Sequence, residues 1–325
     1  MSAKRHIALL MGGKSKEREV SLASGGEIMA HIDRDRFNVA VYDPVKDLSL
    51  LLDHAPRLDL AFLALHGAYG EDGTIQGFCE LAGLPYIGSG VLASAMAIDK
   101  NVAKKIYREA GLPVARDLVL DKRTAGGGLA DEARRAMDML GAPVVVKPLR
   151  QGSSVGLSIV RDEGALSAAL DEVFSLDGAA MLEEYLPGRE FTCGVVGNLK
   201  TTALPIIEII PAEGHQFFDY SAKYEPGQSE EICPADLTVS AAADISRLAV
   251  AAHLALGCRG LSRTDFILVD GRPFILETNT LPGMTSGSLL PKMAKTYGLS
   301  FTSFISYLID LVLEPVEPDL DFYKV

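Results

Sequence analysis

Cysteine is scarce in this chain. The four residues at 79, 193, 233 and 258 form no Cys-x-x-Cys pair and no zinc-ligand spacing, which leaves reduced, structural thiols as the reading. Basic charge is also in deficit, with 31 Lys and Arg against 43 Asp and Glu, a formal charge of −12 and a pI near 5.0. A nucleic-acid surface needs clustered Lys and Arg and is excluded, while a local basic cleft for a small anion is not. No apolar run reaches membrane-spanning length. The opening Met-Ser-Ala-Lys-Arg-His leads into an apolar stretch too short for a secretory signal, so a cytoplasmic protein touching neither nucleic acid nor membrane is expected. Internal repeats are missing too. What is present is length for two or three domains and, with 48% hydrophobic residues, material for a large core.

Apolar runs at Ile7 to Met11, Asn38 to Tyr42 and Leu58 to Leu65 alternate with a helix from Ser21 to Ile32, which predicts an open parallel α/β sheet in the first ~90 residues. Ligands on such sheets sit beyond the carboxyl ends of the strands, where Gly12-Gly13 and His66-Gly67 fall. Val91 to Ala110 reads as one long helical stretch. Strands at Val114 to Leu120, Val144 to Lys147 and Ser158 to Val160, with helices between them, imply a second α/β unit. A third follows, with strands at Phe191 to Val196 and Ala203 to Ile210, a helix from Ser240 to Leu256, a hairpin and a terminal helix from Phe301 to Leu313. Between its strands and helix, Glu213 to Pro234 is irregular yet carries aromatics and Lys223, the profile of a functional loop.

The hairpin carries the chemistry. Residues 263–279 are two apolar strand-like runs around Asp270-Gly271, a two-residue turn signal. Residues i and i+2 of a strand share a face, so Arg263 points with Asp265, and Glu277 with Asn279. Magnesium takes a few carboxylate or amide oxygens and fills its shell from water and phosphate, which makes this a candidate metal platform; a solvated hairpin end with ordinary charges is the alternative. A strict two-residue loop would set Asp265 opposite Leu276 and put Glu277 on the other face. A bulged or three-residue connection is therefore expected.

Three loops add candidates. Gly12-Gly13-Lys14-Ser15 is not a P-loop, because Ala8 stands where the pattern needs glycine, and Glu17 is then either a first-turn helix charge or a carboxylate beside a ligand crevice. His66-Gly-Ala-Tyr-Gly-Glu-Asp-Gly73 turns tightly and exposes backbone N–H groups suited to a small carboxylate or phosphate. Lys147 ends a wholly apolar strand before Gln151-Gly-Ser-Ser-Val-Gly156, a loop able to close over phosphates; a snorkelling lysine before an ordinary turn is the dull reading. Glu183 and Glu184 lie among apolar residues, the mixture that adenine and ribose recognition needs; an ordinary strand edge, which offers the same mixture, is the alternative.

In order, the segments 12–21, 66–73, 88–95, Asp99-Lys100, Lys147-Pro148, 152–156, Asp-Tyr-Ser-Ala-Lys-Tyr at 219–224 and Asn-Thr-Leu-Pro-Gly-Met-Thr at 279–285 resemble those of the D-alanine–D-alanine ligases of the ATP-grasp superfamily, over nearly the whole chain. The resemblance implies an α/β, three-domain ATP-grasp ligase: an N-terminal substrate domain over 1–95 with the open parallel sheet, a central ATP-grasp domain over 96–187 and a C-terminal one over 188–325, whose mobile loop covers about 213–234. It implies ATP as co-substrate and Mg2+ or Mn2+ as cofactor, with Lys100, Lys147, Glu183, Leu186, Glu190 and Lys223 on the nucleotide and Asp265, Glu277 and Asn279 on the metal. Glu17 is matched to the first substrate's ammonium group and Ser288 with Leu289 to the second substrate's carboxylate. His66 and Arg263 line the reaction centre, and Tyr224 latches the loop to Ser153 and Glu17. Ligation of two D-alanines through a D-alanyl phosphate, for peptidoglycan synthesis, by a homodimer, is the implied activity. Another ATP-grasp carboxylate–amine ligase, including one that couples D-alanine to D-lactate or D-serine, and a non-catalytic nucleotide sensor are the alternatives. Tyr224 favours the plain dipeptide, and none of Lys147, Arg263, Asp265, Glu277 and Asn279 is missing, as a sensor would allow. The chain departs from the pattern at Glu184, where some members carry lysine.

Overall fold

The computed structural model describes residues 3–123, 129–212 and 228–314. Lys223, Tyr224 and most of the loop expected at 213–234 therefore lie outside the described residues.

Strands β1 (Arg5–Leu10), β2 (Phe37–Tyr42) and β3 (Leu60–Leu63) form a parallel sheet in the order β2-β1-β3, as their apolar runs predict. Ile7, Ala8, Leu9 and Leu10 are fully buried, the mark of a parallel strand covered on both faces. Helices α1 (Arg18–His31), α2 (Leu48–His54) and α3 (Thr74–Leu81) connect these elements onward.

The stretch expected to be one helix is two, α4 (Val91–Ile98) and α5 (Lys100–Glu109). Asp99 causes the break: its backbone is extended and its side chain accepts from Asn101 N and Val102 N, both at 3.1 Å, which caps a new helix. The cap fixes where α5 starts. It thereby sets Lys100, Lys104, Tyr107 and Arg108 along one side of the helix.

Strands β4 (Asp117–Asp121), β5 (Val144–Pro148), β6 (Ser158–Val160) and β7 (Ala179–Glu184) make a second, antiparallel sheet in the order β4-β7-β5-β6. One face packs Leu120, Val144, Val146 and Leu182 against α6 (Leu129–Leu140) and α7 (Glu163–Leu176). Alternation then turns Asp117, Val145, Lys147 and Glu183 to the other face.

The third sheet runs β11 (Ser229–Ile232), β10 (Ile207–Pro211), β8 (Arg189–Gly197), β12 (Gly260–Val269) and β13 (Arg272–Asn279), with β9 (Thr202–Ala203) beside β8. The run expected as one strand over Ala203 to Ile210 is split by residues 204–206 into β9 and β10, and part of the expected irregular stretch is strand β11. Helix α8 (Val239–Ala255) covers one face through Phe191, Cys193, Val195, Phe266 and Ile275. Helices α9 (Leu289–Tyr297) and α10 (Phe301–Leu313) close the largest core, in which Phe304, Ile305 and Ile309 are fully buried, each contributing roughly 1.5–3 kcal/mol. Among the described residues no single helix is long and apolar enough to cross a membrane. The pair α9 and α10 passes by length and composition, but it is bent by 97° and its apolar side chains fill this core.

Candidate functional site

The β12–β13 hairpin answers the register question in two parts. Its turn is a two-residue connection, with Val269 opposite Arg272 and positive φ at both Asp270 (47°) and Gly271 (77°), so the expected longer connection is absent. The bulge is there, but within the strand: pairing jumps from Phe266–Ile275 to Asp265–Glu277, and Leu276 is the extra residue. Asp265 and Glu277 consequently stand opposite each other on one face. Asp265 is held on all sides. Arg263 forks onto it at 3.0 and 2.9 Å, Thr192 donates to Oδ1 at 2.6 Å, and Asn279 Nδ2 donates to Oδ2 at 3.2 Å. Tyr107 of α5 braces the hairpin from behind through Thr278, at 2.7 Å, and Thr278 meets Thr264 at 2.9 Å.

Between the second and third sheets lies a cavity of about 410 Å3. Its wall includes Lys100, Lys147, Glu183, Leu186, Glu190, Asp265 and Glu277, so these predicted nucleotide and metal residues converge there from six strands and helices and one loop, while Asn279 stands outside the wall. Lys147 Nζ reaches Glu183 Oε2 at 2.6 Å, diagonally across β5 and β7. Burial alone would raise the Glu183 carboxyl, but the ammonium groups of Lys147 and Lys104 hold it down to about 2. Lys100 Nζ bridges the two sheets, 3.2 Å from Glu277 Oε2 and 2.8 Å from the Gln151 carbonyl. Glu184, the departure, pairs with Arg116 at 2.6 Å and accepts from Arg116 N at 2.8 Å.

The described residues contain no group of three or more His, Cys, Asp or Glu side chains placed to hold a metal ion. Two carboxylates and one amide on a single sheet face nevertheless suit Mg2+ or Mn2+, which take hard oxygens and leave several positions to water and phosphate. The residues present fit that group.

Outside the cavity, Glu17 is hydrogen-bonded to a distant segment of the chain. It precedes α1 without capping it; its carboxylate instead accepts from Ser153 Oγ at 2.5 Å, across 136 residues of sequence. Gly67 (φ +67°) makes room for it, since a Cβ there would stand 2.5 Å from Glu17 Oε2 and 2.6 Å from Ser15 Oγ. Arg18 and Asp43 brace the preceding turn: Arg18 donates to Gly13 O at 2.8 Å and to Asp43 at 2.6 Å, and that guanidinium holds the Asp43 carboxyl down to about 2. Ser153 and Ser154 both have positive φ, 53° and 56°, a strained arrangement of the sort that concentrates at ligand loops.

His66 is buried, with Nε2 3.1 Å from Ser24 Oγ and Nδ1 4.0 Å from Glu71 Oε1. Ser24 also accepts from Met284 N at 3.5 Å, which ties His66 to the segment leading into α9. There Ser288 Oγ lies 2.7 Å from Thr285 Oγ1 and accepts from Thr285 N at 3.2 Å, while Leu289 is buried in the core. Sequence reasoning missed Lys104, Asp117, Thr192 and Ser24. Only Lys104 left a local signal, a lysine one turn after Lys100 on the apolar side of α5.

Comparison with known proteins fits this geometry. The family profile of the D-ala D-ala ligase C-terminus matches residues 106–310, and that of the D-ala D-ala ligase N-terminus matches 6–55 and 44–89. A D-alanine--D-alanine ligase of Syntrophobacter fumaroxidans is 50% identical over 95% of this chain and 97% of its own length. The crystal structure of a Bacillus anthracis D-alanine--D-alanine ligase complexed with ATP superposes with a TM-score of 0.82 at 35% identity, covering 95% of this chain and 97% of that one. The VanG D-Ala:D-Ser ligase of Enterococcus faecalis superposes with a TM-score of 0.81 at 31% identity, covering 95% and 100%.

Proposed function

The chain belongs to the D-alanine–D-alanine ligase family, with its α/β ATP-grasp fold, and on that premise we propose that it joins two D-alanines into D-alanyl-D-alanine at the expense of ATP. The observation that supports this reading most directly is the cavity whose opposite walls carry Lys147 with Glu183 and Asp265 with Glu277. A carboxylate resists acylation of an amine because oxide is a very poor leaving group. Transfer of the γ-phosphoryl group of ATP to the first D-alanine's carboxylate gives D-alanyl phosphate and ADP. The amine of the second D-alanine then attacks the carbonyl carbon, the carbon–oxygen bond to phosphate breaks, and phosphate departs.

Each part of the chain has a role in that sequence. Glu17, fixed by Ser153, holds the first ammonium group. Lys100, Lys147, Glu183, Leu186 and Glu190 bind the nucleotide, and Lys147 and Arg263 neutralise the phosphoryl oxygens as charge moves onto them. His66 faces the reacting groups, and Ser288 with Leu289 seats the second carboxylate. Asp265, Glu277 and Asn279 would hold Mg2+ or Mn2+, which supplies positive charge to the phosphate oxygens. The domains divide near 95 and 187, and the segment at 213–234, with Lys223 and Tyr224, excludes water from the acyl phosphate. The enzyme works as a cytoplasmic homodimer supplying peptidoglycan synthesis.

The test is ADP release with D-alanine, L-alanine, D-lactate and D-serine as second substrates. Stoichiometric ADP and dipeptide with D-alanine, and far slower turnover with the others, is expected. Preferential use of D-serine or D-lactate would replace this reading with that of a depsipeptide or mixed-dipeptide ligase.

A further inference from the structure

From Lys147 and Glu183 in the cavity wall, a line of alternating charges runs back to Lys104, Asp117 and Arg108, which the catalytic reading does not use. Asp117 of β4 and Glu183 of β7 are direct cross-strand partners on one sheet face, an arrangement in which like charges repel. Lys104 of α5 enters between them. Its ammonium contacts Glu183 Oε1 and lies 2.9 Å from Asp117 Oδ1. Lys147 holds the other Glu183 oxygen at 2.6 Å, and Arg108, one turn beyond Lys104, contacts Asp117. The order is Arg108, Asp117, Lys104, Glu183, Lys147, and the three middle side chains are at most 4% exposed. Three cations and two carboxylates leave one surplus positive charge.

The two ends of this line differ. Arg108 is 41% exposed, so solvent screens it, whereas Lys147 opens into the cavity. The cavity wall reaches Lys147 and Glu183 and stops short of Lys104 and Asp117. Lys104 therefore cannot touch a nucleotide in that cavity. A buried carboxylate with a single counterion would bind that counterion tightly; with a second one behind it, the first is left with charge to spare.

We propose that Lys104 is a positioning residue for nucleotide binding: by neutralising Glu183 from inside the protein, it leaves the charge of Lys147 directed into the cavity. The proposal rests on the reading of this cavity as the ATP site. Lys104 acts only through Glu183, and that dependence is what distinguishes it from a residue that merely supports the fold.

A double-mutant cycle on the full-length enzyme tests it, with the dissociation constant of the ATP analogue AMP-PNP as readout. Lys104→Met should weaken binding tenfold or more in the wild-type background and less than twofold in the Glu183→Gln background, with KM for D-alanine unchanged within about twofold. Equal weakening in both backgrounds, or no weakening in the wild type, overturns the proposal. Should Lys104→Met alone fail to fold because Glu183 loses a counterion, the comparison of Lys104→Met/Glu183→Gln with Glu183→Gln decides: binding within twofold supports the proposal and a tenfold loss refutes it. Lys147→Ala separates the two readings. Undiminished binding there removes the ATP role of Lys147 itself, while weakened binding with an additive cycle removes only the role of Lys104.

Discussion

Asp265 stands directly opposite Glu277 across the β12–β13 ladder because Leu276 bulges out of register, not because the turn is long. A strand pair without that extra residue would put Leu276 where Glu277 is, and the two carboxylates would face opposite sides of the sheet. With Asn279 beside Asp265, this face offers three oxygen-bearing groups within one small patch.

The first prediction concerns that patch. Glu277→Gln should raise the Mg2+ concentration needed for half-maximal ADP formation at least tenfold while leaving KM for D-alanine within about twofold. Chelation of the metal should abolish turnover and added Mg2+ should restore it. An unchanged Mg2+ titration in the variant would remove Glu277 from the metal site.

Lys147→Ala should lower turnover by about 10²–10³ with the fold retained, because a cation aimed at the transferring phosphoryl group acts where charge develops. Steady-state ADP release, alongside circular dichroism to show folding, checks this. Near-normal turnover would count against the phosphate role.

Gly67→Ala probes how Glu17 is held. The new methyl group collides with Glu17 Oε2 and Ser15 Oγ in a backbone conformation that side chains disfavour, so a stability loss of about 1–2 kcal/mol is expected. Displacing Glu17 should raise KM for the first D-alanine severalfold and leave KM for ATP nearly unchanged. Parallel increases in both constants would show that the loop serves the whole site.

A fourth prediction is a pH dependence. His253 is fully buried on α8, with Nδ1 2.7 Å from Ser262 Oγ and, among the described residues, no hydrogen-bond partner at Nε2, and burial pushes its pKa down to about 4. The unfolded chain takes up a proton near pH 6.5 and the folded one only near pH 4, so stability is lost as pH falls through that window. The loss approaches about 3 kcal/mol at 1.36 kcal/mol per unit. Urea denaturation at pH 7 and pH 4.5 should show His253→Gln losing less stability on acidification than the parent. Equal losses would mean that His253 is protonated inside the fold.

Much of this was legible in the sequence. Strand alternation alone put Arg263 with Asp265 and Glu277 with Asn279, apolar runs gave the parallel sheet, and helix α10 lies over the residues its periodicity predicts. The lysine ending an apolar strand did mark the cavity wall. These features depend on periods of two or 3.6 residues, which a linear pattern records.

Tertiary structure decided the rest. The Asp270-Gly271 signal correctly marks a two-residue turn, but the bulge at Leu276 lies farther along β13, where the turn residues say nothing. Whether Glu17 serves its own helix or Ser153, 136 residues away, is settled by packing between elements. Lys104 meets Glu183 across 79 residues, and nothing near either residue signals the other. Local propensity acts over a few residues, whereas charge pairing in a buried interface acts wherever the fold brings two side chains together, at any separation along the chain.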